Sequence, residues 1–560
     1  MKYRHSILCS ALSAAALCAL SPAAQAEDMY LNYEDYTDNV TEGDYIDLWA
    51  YQDYLEDGKL KRSGLELTTS RINSDGATEV VVAGGDHKVG ASGEKGDIAG
   101  GKRGQSVTAT HLTINGGTNI ERVIGGNYSL GYVEGDRNIT INGGNINYIY
   151  GGDWYVETDR PVTPDAPQNK YINAYYSEDT YGVQSSTWVW TPKKSNGDIN
   201  ITVTGGTVAQ IRGGHNCASG VVNDDEKIGW SLDENGNETN LRPYSVGGDV
   251  NIVLEGGTVG TGSGDAIRGA GGSKCSVDGN VNITVKGDAV VKGNIYAGAR
   301  NTYGQIGGSC IKIEGGEVTG NIYAGGSWDT TATRTLGDTE IILSGGKVTG
   351  NIYGAGNRDI VEGNTHVTFL GNGTELSEGS IVSGGGINGA EVQGTRYLHI
   401  GEVDIETTCS LNIMDFDEII IAEGSEANLN SVAMTRSALT LDNITLLTTT
   451  EATEHTFTLN LNGISTEKLT IAIQFSDAVT ELSDYSISLF SDTLDTSELT
   501  AEVILLDAQG NIISDDEVQF IDTAIAGGTQ FTISASVPEP TTATLSLLAL
   551  AGLAMRRRRK

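Results

Sequence analysis

Val291-Lys-Gly-Asn-Ile-Tyr-Ala-Gly298, Val318-Thr-Gly-Asn-Ile-Tyr-Ala-Gly-Gly326 and Val348-Thr-Gly-Asn-Ile-Tyr-Gly354 are three copies of one phrase. Each follows a second repeated phrase, a short strand closed by a tight turn: Ile283-Thr-Val-Lys-Gly-Asp288, Ile311-Lys-Ile-Glu-Gly-Gly316 and Ile341-Ile-Leu-Ser-Gly-Gly346. The strand-and-turn unit also occurs upstream, as Leu112-Thr-Ile-Asn-Gly-Gly117, Ile139-Thr-Ile-Asn-Gly-Gly144, Ile201-Thr-Val-Thr-Gly-Gly206 and Ile252-Val-Leu-Glu-Gly-Gly257. The period is 26 to 31 residues, and the two longer spacings, 143 to 205 and 205 to 256, are that period plus insertions.

Apolar and polar residues alternate within each unit, and glycine stands where the backbone must turn with positive φ. One unit cannot bury its apolar face alone. Stacking copies at about 4.8 Å gives a continuous core and joins the backbones of neighbouring coils. The pattern therefore predicts an all-β fold, a parallel β-helix (solenoid) of right-handed sense, with Asn294, Asn321 and Asn351 as an internal amide ladder. A β-propeller is excluded, because its blades need roughly 40 to 50 residues and four strands each.

The solenoid is expected over 81–440, with insertions at 153–195 and 215–246. Residues 27–80, acidic, tyrosine-rich and without the repeat, are expected to cap its open end, since a bare edge invites polymerisation. Over 441–536, alternating runs such as Thr456-Phe-Thr-Leu-Asn-Leu461 and Leu469-Thr-Ile-Ala-Ile-Gln474 read as a β-sandwich-like domain of antiparallel strands.

The ends carry address signals. Lys2, Arg4 and His5, an apolar run from Ile7 to Leu20 and Ala24-Gln25-Ala26 make a cleavable signal peptide over 1–26. At the other end Val537-Pro538-Glu539-Pro540 precedes an apolar stretch, Ala543 to Met555, and then Arg556 to Arg559 and Lys560. This 537–560 tail resembles the PEP-CTERM sorting signal of Gram-negative bacteria. The resemblance implies removal by an exosortase-type enzyme after signal peptidase has acted, and a bacterial cell-surface, outer-membrane or extracellular destination. The repeat over about 80–390 is similar at the level of pattern to the β-helical passengers of autotransporter-type adhesins, although no translocating barrel follows it.

Formal charge is −37, and without the two end signals 29 basic residues face 72 acidic ones. Such a chain repels nucleic acid and anionic lipid. No calcium-loop spacing accompanies the carboxylates, and no cofactor or metal motif is present. Cys217, Cys275, Cys310 and Cys409 remain after export to an oxidising compartment. Ile211-Arg-Gly-Gly214 aligns with Ile267-Arg-Gly-Ala270, and a cysteine follows each, so Cys217 and Cys275 are the expected disulfide.

Five of the six tryptophans, Trp154, Trp188, Trp190, Trp230 and Trp328, follow the second glycine turn of a repeat. Insertions at one point of the period emerge from one edge of a solenoid. An aromatic edge there can stack on the apolar face of a sugar ring, or can serve as a small core beneath its own loops. Tyr296, Tyr323 and Tyr353 form a second candidate ladder, facing outward, with Arg212 and Arg268 in equivalent earlier positions.

These features point to a non-catalytic adhesin or glycan- or mucin-binding module. The alternative is a secreted glycan- or mucin-cleaving enzyme, because pectate-lyase-like and polygalacturonase-like β-helices cut acidic polysaccharide. In that reading Arg212 or Arg268 acts as base beside Asp224, Asp225 and Glu226, near Gly213-Gly214-His215. An aspartic-peptidase reading has only Phe520-Ile-Asp-Thr-Ala524, with alanine in place of the motif's glycine and no second copy. No residue carries a catalytic spacing of its own.

Overall fold

The computed structural model describes the backbone in segments from residue 45 to residue 535, nearly continuously over 64–154, 197–216 and 245–401. The signal peptide and the sorting tail lie outside the described residues.

The strand Arg137–Ile141 shows how sequence becomes coil. Its odd-numbered residues are buried, while Asn138 and Thr140 face out, as the period of two in a strand requires. It pairs in parallel with Thr110–Ile114 on one side and Ile199–Val203 on the other, with Ile139 between Leu112 and Ile201. This side of the coil continues in parallel, strand on strand, from Thr78–Asp86 to Thr500–Leu506. One apolar core accompanies it, from Val80 to Leu505. Each isoleucine fully withdrawn from water there contributes roughly 1.5 to 3 kcal/mol.

A second side is stacked from Glu94–Ala99 through Ile120–Ile124, Asn145–Tyr150 and Thr207–Arg212 onward. A shorter third side joins Ser245–Val246, Ser276–Val285, Gln305–Val318, Arg334–Thr335, Ile360–Val361 and Glu391–Val392. The turn between the first two sides needs glycine. Gly206 has φ +82°, and a Cβ there would stand 2.7 Å from the carbonyl oxygen of Gly144 on the coil before. Across the interior, the hydroxyls of Thr110, Ser309, Thr339 and Thr365 donate to the carbonyls of Gly125, Ala324, Gly354 and Gly384 at 2.5 to 2.7 Å. These bonds satisfy buried carbonyls at the second glycine turn, which would otherwise carry a desolvation cost.

Asparagines do climb the coils, but not as an interior amide-to-amide ladder at 294, 321 and 351. Those three are half-buried, and the side-chain oxygens of Asn294, Asn321 and Asn351 accept from the backbone N–H of Asn321, Asn351 and Ile381. The amide-to-amide ladder lies on the outer face of the first side. Asn282 donates to Asn251, Asn251 to Asn200 and Asn200 to Asn138, at 2.9 to 3.0 Å.

The antiparallel sandwich expected over 441–536 gives way to more coils. Ile444–Leu447, Lys468–Gln474 and Thr500–Leu506 pair in parallel, as do Glu426–Ser431, Glu454–Asn460 and Asp484–Ser491. Alternation has the same period in parallel and antiparallel strands, so it could not separate the two. Antiparallel pairing enters only at the end, where Gly528–Ala535 meets Asp484–Ser491 and Ile521–Ile525, and Ile512–Glu517 meets Thr500–Leu506. At the opposite end Gly64–Ile72 runs antiparallel to Thr78–Asp86, and Tyr45–Leu48, Tyr51–Glu56 and Lys59–Arg62 form a small antiparallel sheet.

Candidate functional site at the insertion corner

Both long insertions leave the solenoid at the same corner, after the second-side strands Asn145–Tyr150 and Thr207–Arg212. Gly152 N donates to Gly214 O, and Asn216 N to Asp153 O, both at 3.0 Å. Just beyond, Val156–Glu157 and Ala218–Ser219 pair in parallel. The roots of the two insertions therefore run side by side on neighbouring coils. Backbone meets backbone here, since a Cβ on Gly151 would lie 1.9 Å from Gly213 O.

A buried polar group sits beneath these roots. Arg137 is 1% exposed at an inward strand position that other coils fill with Thr110 or Ile199. Its Nη2 lies 3.5 Å from Val133 O and 3.6 Å from Asp153 Oδ2. His215 Nδ1 accepts from the backbone N–H of Asp153 at 2.9 Å. Burial pushes the His215 ring down to about 4, against an opposing pull from Asp153 and with a smaller push from Arg137. The imidazole is therefore neutral, and its 3.4 Å approach to Asp153 Oδ2 is not an ion pair. With its Nδ1 lone pair engaged by the backbone, this ring holds the corner together and is not placed to move protons.

Aromatic and cationic groups cover the corner from outside. Trp154 stands edge-on to Tyr150, with centroids 4.7 Å apart and planes at 79°. The Arg122 guanidinium lies 3.8 Å over the Trp154 ring and reaches Asp97 Oδ2 at 2.8 Å. Arg212 lies 5.1 Å from the Tyr150 centroid and 5.7 Å from that of Tyr148. Such contacts are worth about 0.5 to 2 kcal/mol each, depending on desolvation. Burial pushes the Tyr150 hydroxyl up to about 12, against Arg212 and Arg122.

The column through this corner has one register: Tyr150, Arg212, Arg268, Tyr296, Tyr323 and Tyr353 follow one another coil by coil. The equivalence expected of the two arginines with the tyrosines is present. Neither arginine is placed as a base. Arg212 donates to Gln210 Oε1 and Asn216 Oδ1, and Arg268 reaches Asp265 Oδ2 through Nε and Nη2 at 2.8 and 2.7 Å; a guanidinium keeps its proton in proteins.

Tyr296, Tyr323 and Tyr353 stack at 4.4 and 4.9 Å with planes 1° and 9° apart. They lie outside the main core, as expected of residues that follow inward isoleucines, but each is at most 6% exposed. Both faces of Tyr323 are occupied by its neighbours, so the ladder is a packing column and presents no open ring face there. Trp154 is likewise packed, against Tyr150 and Arg122. Trp188 and Trp190 lie on Thr187–Trp190, which forms a hairpin with Tyr181–Gln184 and sets Trp188 opposite Val183 and Trp190 opposite Tyr181. Trp230, Trp328, Cys217 and the carboxylates at 224–226 lie outside the described residues, while Cys275 is buried. Arg122, Arg137 and Asp153 were not singled out from sequence. Arg137 had a visible signal, a charge two residues before Ile139 at an inward position.

The PEP-CTERM protein-sorting motif matches residues 536–560. That motif marks an exported, envelope-associated protein whose signal is processed by an exosortase-type enzyme. No curated protein and no solved structure matches the chain, so the likeness to autotransporter passengers rests on repeat pattern alone. Among the described residues no helix is long and apolar enough to cross a membrane.

Proposed function

We propose that this exported β-solenoid is a non-catalytic adhesin-type module that binds host or matrix glycan or mucin through its insertions at 153–195 and 215–246. The observation that carries the reading is the common root of the two insertions. Strands 156–157 and 218–219 join them on adjacent coils, so aromatic segments far apart in sequence start from one rigid corner. Tryptophan and tyrosine on such a support offer large faces at little entropic cost.

In the same reading residues 27–80 close the first coil, a role supported by the antiparallel pairing of 64–72 onto it. Cys217 and Cys275 tie the second insertion down, supported by the bond from Gly272 N to His215 O, which brings the two segments together. A non-reducing peptide map joining Cys217 to Cys409 contradicts that tie.

Glycan-array binding by the mature protein tests the function. Trp188→Ala and Trp190→Ala are expected to weaken binding by roughly 1 to 3 kcal/mol each, with the coils intact by limited proteolysis. Unchanged affinity in the double variant removes the insertion as the site. Accumulation of new reducing or unsaturated ends on incubation with mucin or acidic polysaccharide favours the cleaving enzyme.

A further inference from the structure

The second side carries a cavity at the opposite end of its strands from the insertion corner. Ile146 pairs with Val208 and Tyr148 with Gln210, so Ala209 stands beside Asn147 on the outward face, where a methyl follows a carboxamide and the surface drops. On the next coil the chain takes a detour. Val208 and Ile211 are register partners of Val259 and Ile267, and between the latter pair stands the added run Gly260-Thr-Gly-Ser-Gly264. This loop needs its glycines, which have φ +101°, +92° and +83° at Gly260, Gly262 and Gly264. It is tied down by bonds from Gly262 N to Lys292 O at 3.0 Å, from Asn294 N to Gly264 O at 2.9 Å and from Gln210 Nε2 to Asp265 O at 2.7 Å. Between this lip and the strands lies a cavity of about 250 Å³, walled by Asn119, Asn145, Asn147, Thr207, Ala209 and Thr261.

We propose that this cavity binds one neutral sugar unit, a hexose or N-acetylhexosamine at the end of a glycan. Its volume is just below the range of about 300 to 1,000 Å³ usual for ligand pockets, so it takes one ring and not a run of them. Asn145 and Thr207 are register neighbours on adjacent coils and both are exposed. Among the described residues neither spends its side chain on a hydrogen bond. A carboxamide has donors and an acceptor, and a hydroxyl is both, so the pair can meet sugar hydroxyls in either sense.

Electrostatics narrows the class. Asn119 donates its Nδ2 to Asp86 Oδ1, and Asn147 its Nδ2 to Glu121 Oε2 at 2.5 Å. A carboxylate only accepts, so these bonds fix which way each amide points. They also set two negative charges directly behind the wall, while no cationic side chain lines it, and like charge disfavours sialic and uronic acids. The cavity shares only its ligand class with the insertions, and it is formed by the coils themselves.

The test is a saturation-transfer NMR titration of the mature protein with the methyl glycosides of glucose, galactose, mannose and N-acetylglucosamine, beside N-acetylneuraminic and glucuronic acids. Saturable binding of at least one neutral glycoside is expected. Ala209→Leu, which fills the cavity from its floor, should abolish it, and Thr207→Val and Asn145→Leu should each weaken it about fivefold or more. Far-UV circular dichroism on each variant verifies that the solenoid remains. The double Trp188/Trp190 variant should bind as the unaltered protein does, which separates this cavity from the insertions. Absence of binding by every neutral glycoside, an unchanged affinity in Ala209→Leu, equal binding of the anionic sugars, or loss of binding in the double Trp188/Trp190 variant overturns the proposal.

Discussion

The coils between 110 and 354 and those between 418 and 506 are built to one plan with different sequences. In the first region a double glycine follows nearly every first-side strand, and the period can be counted by eye. In the second, Ile400, Ile421 and Leu446 follow one another in register, and no double glycine follows any of them. Parallel pairing and the inward apolar row nevertheless continue without a break, through Ile419, Ile444, Ile471 and Val503. The inward alternation and the register therefore make the solenoid, while glycine meets a local requirement where coils approach backbone to backbone.

That distinction predicts a large asymmetry between glycines. Gly213→Ala places a Cβ 2.0 Å from Gly269 O and 2.5 Å from Val250 Cγ1, and the Gly269 backbone together with the fully buried Val250 side chain prevents relief, so the cost is expected to exceed about 3 kcal/mol. Gly262→Ala meets nothing within 4 Å and costs about 1 to 2 kcal/mol from its positive φ alone. Urea unfolding with segment-resolved hydrogen exchange measures both, and equal costs break the comparison. Giving the second region a glycine, by Ala422→Gly, should lose about 1 kcal/mol and restore nothing.

The insertion corner separates the regions further, because it buries Arg137 and His215 with the half-buried Asp153 beside them. His215 has a folded value of about 4 against an ordinary 6.5, so the fold favours the neutral ring. Its contribution is complete above about pH 6.5 and is lost as pH falls from 6.5 to 4, amounting to about 3 kcal/mol. Protection factors at 197–216, taken relative to intrinsic exchange at each pH, should therefore fall on acidification through this window, and His215→Gln should flatten the dependence. Asp359 acts in the opposite sense, since burial raises it to about 6; what it contributes is present below 3.8 and is lost as pH rises through 6. An unaltered pH profile in the His215 variant counts against the corner as the acid-sensitive element.

A smaller effect sharpens the account of the tyrosine column. Tyr323→Phe keeps both stacking faces and removes the bond from Asn321 Nδ2, 3.0 Å long, together with the hydroxyl's bond to Tyr296. Its cost should be about 0.5 to 1.5 kcal/mol. A much larger loss would mean that the hydroxyls, not the stacked rings, hold the column.

Much of this was legible in the sequence for one physical reason: where a coil closes on a double glycine, each turn leaves a mark at a fixed spacing. The first-side strands, the alignment of Arg212 and Arg268 with the tyrosines, and the shared exit of the insertions all followed from it. The parallel pairing over 444–506 did not, because alternation is shared by parallel and antiparallel strands and the turn marker is absent. Burial of Tyr296, Tyr323 and Tyr353 was missed because a residue outside the main core can still be covered by copies of itself at coil spacing. The cavity beside Ala209 escaped notice because its walls come from separate coils and meet only when the register is known.

The most direct test of a single continuous stack is a distance measurement by electron paramagnetic resonance on spin-labelled pairs in the second region. Lys468 and Thr500 are register partners, as are Gln474 and Leu506. Labels on Lys468 and Thr500 should be neighbours, and labels on Lys468 and Leu506 should have backbones about 20 Å apart, the length of the strand. Close contact between Lys468 and Leu506, with Lys468 and Thr500 far apart, would mean antiparallel strands and would contradict the continuous solenoid.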